Sequence, residues 1–236
     1  MYSLHKIGGL SGVLAGVAFI VATAAVIPVY VSAPSEALQP GNAEATLVFT
    51  ATLSEAQRFA FRTLLSLQIL SAVFMIPMLL ALYSVLKDVR RFYALVGSGI
   101  AAVGIPFSIL DALLGFPFIG PLSERFGVAT AAERVALVAV QRFSQGLSQV
   151  SLALFWLLLG TAIVVFAFSM WRNVFPRWVA WLGLVTGVVM IIGTILSITV
   201  NQFFSLLQVM SFVIWAIAVG VTLYRLKGVS TGATTS

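Results

Sequence analysis

The sequence predicts an all-α fold, a polytopic membrane bundle of six transmembrane helices with the N and C termini in the cytoplasm. Hydrophobic residues occupy 61% of its 236 positions and charged residues only 8%, whereas soluble domains carry about 25% charged residues. Uncharged runs long enough to cross a hydrocarbon core of ~30 Å recur along the whole chain. We therefore expect a lipid bilayer to surround most of the protein.

The first two predicted spans cover residues 7–33 and 64–86, and polar residues follow each of them. Lys6 precedes the first run, as a basic residue precedes the core of a secretory signal. The run is longer, however, than the about 7–15 apolar residues of a signal core, and Pro34 follows the best small-residue cleavage site. We expect this segment to be retained as a helix.

The third and fourth predicted spans are less regular. Residues 93–118 form an apolar run that is interrupted only by Asp111. Residues 148–170 belong to a longer helical pattern that begins near Ala131, and we expect residues 129–142 to extend the fourth helix outward. Both runs are long enough to span a bilayer.

The last two spans are predicted from a charge-free stretch between Arg177 and Arg225. That stretch is too long for one membrane helix. It predicts spans at residues 178–200 and 203–224, joined by a tight turn at residues 201–202.

The chain is predicted to form one membrane domain, residues 1–228, followed by a small polar tail, residues 229–236, that we expect to be flexible. Between the first two spans, residues 43–61 place apolar side chains at roughly helical spacing. They predict a helix that lies at the interface or covers the bundle.

Orientation is predicted from the short loops, because cytoplasmic loops carry an excess of Lys and Arg. One side holds arginines mixed with glutamates at similar numbers, and the other side is almost purely basic. We assign the basic side to the cytoplasm and the protein to the cell (inner) membrane. The basic side contains Lys6, Lys87, Arg90, Arg91, Arg172, Arg177, Arg225 and Lys227.

Several kinds of chemistry lack the residues they need. The chain has no cysteine and one histidine, His5, which lies before the first span, so a haem, a zinc site or a Ser-His protease is not expected. No phosphate-binding loop motif occurs. The basic residues form no stripe or arm, which argues against nucleic acid as a partner. We expect no metal or cofactor, and the sequence favours a protein that is not an enzyme.

Gly8, Gly12 and Gly16 recur every four residues in the first span and form a smooth ridge on which another backbone can pack closely. Gly183 and Gly187 in the fifth span offer a plausible surface for it. The ridge favours packing within one chain, and the alternative is a homodimer or a contact with a partner membrane protein.

Asp111 is the only acidic residue inside a predicted span, and such a group is by default a functional candidate. It lies about 27 Å along its helix from Tyr93, near the outer edge of the membrane. Arg62 and Arg142 are predicted at a similar level, so a salt bridge to Asp111 is possible. A solvated carboxylate and a ligand-gripping or proton-linked group are the alternatives.

Gln141, Gln145 and Gln149 repeat every four residues at the start of the fourth span and predict a polar stripe descending from the outer face. Hydrogen bonding between helices, with Gln68 or Gln208 as partners, explains such a stripe without a function. The functional alternative is a ligand-binding outer pocket, which is formed by Arg62, Asp111, Arg142, Gln145 and Gln149.

Two short motifs carry a family resemblance. The entry to the first span, residues 6–10, and the entry to the fifth, Phe175–Trp178 continuing through Trp181 to Gly183, resemble the bacterial six-helix membrane family catalogued as domain of unknown function four-three-eight-six. The resemblance implies the fold over almost the whole chain. It implies no role for any residue, because the family has no established activity.

Three functions compete at this stage. The polar outer rim favours a non-enzymatic protein that binds a lipid-like ligand or a partner protein. A small secondary transporter is the alternative, because six helices permit an inverted repeat and the third span contains Gly and Pro. A lipid-modifying enzyme is less favoured, since Asp111 would act without a second carboxylate, except for Glu124 or Glu133 in a loop.

Overall fold

The computed structural model describes residues 4–34, 36–37, 42–116, 121–171, 175–199 and 203–226. Every regular element within those ranges is a helix, which confirms the all-α prediction. The predicted turn at Asn201 and Gln202 and the predicted tail lie outside the described residues. The helices are α1 (Leu4–Ser32), α2 (Ala43–Thr52), α3 (Glu55–Gly115), α4 (Pro121–Val128), α5 (Ala131–Met170), α6 (Arg177–Thr199) and α7 (Phe203–Arg225).

The longest helix, α3, folds back on itself at Arg90. It contains 61 residues, and Arg90 has non-helical angles, φ −148° and ψ 74°. A straight helix of this length would extend about 90 Å. Instead, Gln68 forms a hydrogen bond with Asp111, and Leu65 packs against Ala112. α3 is therefore a helical hairpin rather than one rod.

The two limbs of this hairpin are residues 55–89, the first limb, and residues 91–115, the second limb. Five helices in the described residues are long and apolar enough to cross a membrane. This number counts α3 as a single helix. Each limb by itself exceeds the ~20 residues that a crossing needs. The predicted second span, residues 64–86, lies within the first limb. Residues 93–115 of the predicted third span, 93–118, lie in the second limb, and residues 117 and 118 lie outside the described residues.

The long helices form a closed ring around an apolar core. α1 packs on α3 and α7, α3 on α5, α5 on α6, and α6 on α7. The side chains of Phe19 (α1), Trp156 (α5) and Phe212 (α7) meet inside the ring of helices. The aromatic ring centroids of Phe19 and Phe212 are 5.4 Å apart, in an edge-on contact. This aromatic cluster joins α1, α5 and α7 across the core.

We call the end of the ring at Arg90 the hairpin end and the opposite end, covered by α2 and α4, the cap end. Leu47 of α2 and Phe126 of α4 are buried against each other, so the two short helices form one cap. The expectation of a single helix over residues 43–61 is wrong. α2 ends at Thr52, because Ser54 caps the start of α3 with a reciprocal capping box to Gln57.

The glycine ridge of α1 packs within the chain, against α3 on one side and α7 on the other. A Cβ atom placed on Gly8 would lie 2.7 Å from the Pro77 carbonyl oxygen of the first limb. A Cβ atom on Gly12 would lie 3.2 Å from the Ala216 carbonyl oxygen of α7. Because two helices cover the ridge, this face is not open to a second copy of the chain.

Gly183 and Gly187 do not receive that ridge, although their sequence made them its plausible surface. They lie on α6, where Gly187 packs against α5 and Gly183 lies between α5 and the Trp215 side chain of α7. A Cβ atom on Gly187 would lie 2.6 Å from the Gly160 carbonyl oxygen, and one on Gly183 would lie 3.2 Å from the Ala167 Cβ atom. Glycines therefore allow close packing in three helix pairs of the described residues, α1 with α3, α1 with α7, and α5 with α6.

Candidate functional site at the cap end

Asp111 is held between both limbs of α3 and α5. Gln68 on the first limb donates its Nε2 group to the Oδ2 atom of Asp111 at 2.9 Å and to the Ser108 carbonyl oxygen at 3.3 Å. Ser148 on α5 donates its hydroxyl group to the Oδ1 atom. The carboxyl group thus joins three helical segments at one point.

The surroundings of Asp111 follow from its place in the last turn of the second limb. Ser108 lies one turn earlier on the same helix face, is 1% exposed, and has an Oγ atom without a hydrogen-bond partner among the described residues. About one turn after Asp111 on the second limb, the Leu114 carbonyl oxygen accepts a hydrogen bond from the Ser144 hydroxyl of α5 at 3.4 Å. Besides the Gln68 amide, the polar groups within about one helical turn of Asp111 include the Ser108 hydroxyl and the carbonyl oxygens of Ser108 and Leu114.

The two arginines predicted near Asp111 do not contact it. Arg62 and Arg142 are exposed, and neither forms an ion pair or hydrogen bond with another described residue. Arg62 lies six positions before Gln68, and Arg142 lies six positions before Ser148. Gln68 and Ser148 are the two residues that bind Asp111. Six residues turn a helix through about 600°, so the side chains of Arg62 and Arg142 point about 120° away from those of Gln68 and Ser148. The prediction from sequence gave their depth along the helix axis, but it did not give the helix face on which they lie, which is turned away from Asp111.

The polar stripe on α5 contains Ser148 in place of Gln149. Gln141 is buried and Gln145 half-buried, whereas Gln149 is exposed and has no hydrogen bond within the described part of the chain. The spacing explains the difference. A residue seven positions after Gln141 returns to within about 20° of its direction, but a residue eight positions later is about 80° away.

Gln145 connects the bundle to the cap. Its Nε2 group donates to the Thr46 Oγ1 atom at 3.0 Å, and the Thr46 hydroxyl lies 3.2 Å from the Ala37 carbonyl oxygen and 3.0 Å from that of Asn42. The Oε1 atoms of Gln141 and Gln145 are buried without a partner among the described residues. Buried acceptors of this kind are commonly satisfied by ordered water or by a ligand.

A cleft of about 560 Å³ lies between α2 and the segment that follows α1. Ala37 is shared between this cleft and the Gln145 hydrogen-bond chain, so the cleft wall is tied to the bundle. The described lining residues combine small and large apolar side chains with two carboxylates, and none of these residues is basic. The residues are Pro34, Glu36, Ala37, Asn42, Glu44, Ala45, Val48, Phe49 and Thr52.

Arg58 holds the cap on the bundle, a role that the sequence did not predict. Its side chain is 7% exposed and binds the Glu124 Oε1 atom of α4 at 2.9 Å. It also donates to the carbonyl oxygens of Leu53 and Ala51 at 3.2 and 3.3 Å. These carbonyls lie at the C-terminus of α2, where a cation is favourable. The only feature of the sequence that pointed to this role of Arg58 was its position four residues after Ser54, the N-cap of α3.

Gln208 of α7 faces α6 and not the α5 stripe. Its Nε2 group donates to the Met190 carbonyl oxygen at 2.9 Å and to the Thr194 Oγ1 atom at 2.6 Å. Gln208 therefore joins α6 to α7, and of the two glutamines considered as partners of the stripe only Gln68 lies beside it.

Comparison with known proteins identifies the family. A family model described as "Domain of unknown function (DUF4386)" matches residues 14–226, most of the chain and all of the site described above. The chain belongs to this family. Membership confirms the resemblance found in the sequence, and the DUF4386 description states no activity that could be assigned to Asp111 or the cleft. No curated protein and no solved structure matches the chain.

Proposed function

We propose that this DUF4386 protein binds an amphiphilic, lipid-like molecule at its cap end and does not transform it chemically. The cleft beside α2 is the single observation that carries the proposal. Its volume of about 560 Å³ lies within the range of small-molecule sites, about 300–1,000 Å³. Its wall is continuous, through Ala37 and Thr46, with polar groups of the bundle.

We propose the following topology for that function. The two limbs of α3 cross the membrane separately, which gives six crossings, and the hairpin end faces the cytoplasm. Lys6, Lys87 and Arg91 near this end are exposed and basic, as cytoplasmic loops are. Both termini then lie in the cytoplasm, the cap faces outward, and the protein resides in the cell (inner) membrane.

The chemistry of the cleft selects the ligand class. Val48 and Phe49 offer apolar surface to an alkyl chain, and Val48 is 50% exposed before any ligand is bound. Glu36 and Glu44 place negative charge in the same cleft. A carboxylate accepts hydrogen bonds and attracts cations. The ligand class that fits is therefore an amphiphile whose polar end is cationic or rich in hydrogen-bond donors.

The five residues predicted from sequence as ligand-binding have two roles in this proposal. Arg62, Arg142 and Gln149 are exposed near the cap end and contact the headgroups of bilayer lipids around the protein. Asp111 and Gln145 hold helices together beneath the cleft. They shape the site without touching the ligand.

The proposal is tested with the full chain in lipid nanodiscs and a fluorescent alkylammonium probe. Glu44→Gln is expected to weaken probe binding about tenfold, the effect of losing one contact of about 1.4 kcal/mol. Val48→Trp is expected to fill the cleft and abolish saturable binding. Val135→Trp is the matched control, because Val135 is 72% exposed on α5 and does not line the cleft.

Equal probe binding by the Val48→Trp and Val135→Trp proteins would refute the cleft as the ligand site. A probe of the same chain length with a carboxylate head should bind more weakly than the alkylammonium. Tighter binding of the carboxylate would show that the ligand class is wrong.

A further inference from the structure

Asp111 is a largely buried carboxyl group whose hydrogen-bond partners are all neutral. The amide group of Gln68 and the hydroxyl group of Ser148 donate to its two oxygens. Neither donor carries charge. An ionised carboxylate in apolar surroundings needs a compensating positive charge, because neutral donors replace only part of its hydration.

No side chain provides that charge within the described part of the chain. Along the elements that pack against Asp111, the nearest charged residues are Arg62 on the first limb and Arg142 on α5, both exposed and neither paired with it. On its own limb the nearest is Arg91, about 30 Å away at the hairpin end. Farther out, Arg58 already binds Glu124.

The end of the second limb adds to the negative potential. Asp111 lies in the last turn before Gly115, and that turn contains no basic residue. The C-terminus of a helix carries partial negative charge, which disfavours a carboxylate and favours a cation. Both the side chain and the backbone at this point thus attract positive charge.

The oxygen atoms needed to hold a cation are also present. Ser108 is 1% exposed, lies one turn from Asp111, and has a buried Oγ atom with no partner among the described residues. The Ser108 carbonyl oxygen already meets the same Gln68 amide that binds Asp111. The Ser108 hydroxyl, one turn before Asp111, and the hydroxyl of Ser148, bonded to its carboxyl group, are hard oxygen groups of the kind that small hard cations prefer.

We infer that the Asp111 cluster binds one monovalent cation, a proton or a sodium ion. One positive charge neutralises the single carboxylate, whereas a divalent ion would leave an uncompensated charge in apolar surroundings. A proton would convert the carboxylate to a carboxyl group, and a sodium ion would be held by the carboxylate, Ser108 and Ser148. The inference is independent of the ligand proposed for the cleft.

The composition of the chain permits a direct spectroscopic test. The sequence contains only two aspartates, Asp88 and Asp111. Asp88 is exposed at the hairpin end. In a full chain labelled with carboxyl-¹³C aspartate, the Asp88→Asn variant therefore contains one labelled carboxyl side chain, and the Asp111→Asn variant is the matched control.

If the cation is a proton, the Asp88→Asn protein in nanodiscs at neutral pH shows the isotope-shifted infrared carbonyl band of a protonated carboxyl group. The Asp111→Asn protein lacks this band. Sodium chloride and potassium chloride at equal concentration give the same spectrum, and Ser108→Ala leaves the band in place.

If the cation is sodium, the labelled side chain shows carboxylate bands that differ between sodium and potassium buffers. Equilibrium binding of radioactive sodium then saturates near one ion per chain. Asp111→Asn weakens it at least tenfold, Asp88→Asn leaves it unchanged, and Ser108→Ala weakens it severalfold because one ligand oxygen is lost.

A labelled Asp111 that shows carboxylate bands insensitive to sodium, together with no saturable sodium binding, would overturn the inference. The spectrum of the Asp88→Asn protein decides this without any change at Asp111. The test therefore holds even where Asp111→Asn prevents folding.

Discussion

The two ends of the helix ring are held together by different physical means. Near the hairpin end, α1 and α7 approach so closely that backbone meets backbone, at Gly9 against Gly220. At the cap end, side chains separate the helices and join them by hydrogen bonds through Asp111 and Gln208. Membrane helices use both modes, since lipid removes most of the hydrophobic drive for their association.

The difference teaches where change is tolerated. A backbone contact leaves no side chain that can adjust, so one added methyl group must move a whole helix. A hydrogen-bonded contact loses only the free energy of that bond, and neighbouring groups or water can replace part of it. The cap end can therefore vary in chemistry while the hairpin end preserves the fold.

Gly9→Ala should have the largest effect on stability. A Cβ atom there would lie 2.6 Å from both the Gly220 carbonyl oxygen and the Tyr224 backbone nitrogen. We expect a loss of about 1–3 kcal/mol, the usual cost of overpacking, in reversible unfolding by denaturing detergent.

Gly99→Ala is the control for this loss, because a Cβ atom on Gly99 meets nothing within 4 Å. It should leave stability unchanged or raise it by up to about 1 kcal/mol, since alanine favours helix. A similar loss in the Gly99→Ala protein would contradict the explanation by backbone contact, because no atom lies within 4 Å of its added methyl group.

Arg58→Met should have the next largest effect, and the effect should be confined to the cap. The variant loses the ion pair with Glu124 and the bonds to the α2 carbonyls, a cost of about 1–2 kcal/mol because half of Glu124 stays in water. Hydrogen–deuterium exchange should rise in α2 and α4 and stay constant at the hairpin end. Uniformly faster exchange would contradict a cap that is held locally.

Gln208→Leu tests whether the polar contacts of the cap end are individually replaceable. The variant removes the bonds to Met190 and Thr194 but retains a side chain of similar size. We expect a loss of about 0.6–1 kcal/mol in the same detergent unfolding assay, in line with measured bonds between membrane helices. A loss as large as that of Gly9→Ala would remove the distinction between the two ends.

The sequence predicted the long helices well because their signal is composition. Uncharged runs near the length of a bilayer need no tertiary information, and nearly all described residues of the predicted spans lie in α1, the two limbs of α3, α5, α6 and α7. That these segments cross the membrane six times stays a prediction. The short helix α4 was missed, and α2 was predicted too long. Their ends depend on caps at Ser54 and on contacts such as Leu47 with Phe126, which composition does not reveal.

The polar site was predicted less completely. Which side chains of neighbouring helices point toward each other depends on the rotation of each helix about its own axis. The sequence singled out Asp111 and the glutamine stripe, and it considered Gln68 as a partner of that stripe. It did not predict that Arg62 would project away from Asp111, nor that Ser108 would lie beside it. A salt bridge between Arg62 and Asp111 could be expected from sequence because arginine has a long side chain. The direction of each side chain on its helix and the register between the helices decide which side chains meet.

A final pair of variants compares adjacent positions of α5. Ser148→Ala removes a hydroxyl that donates to Asp111, whereas Gln149→Ala removes an exposed amide that has no hydrogen bond among the described residues. Detergent unfolding should show a loss of about 0.5–1 kcal/mol for Ser148→Ala and less than about 0.5 kcal/mol for Gln149→Ala. The reverse order would mean that α5 is rotated by about 100° from its described position. Such a rotation would place Gln149 beside Asp111, and the cap end would then be built around an amide rather than a hydroxyl.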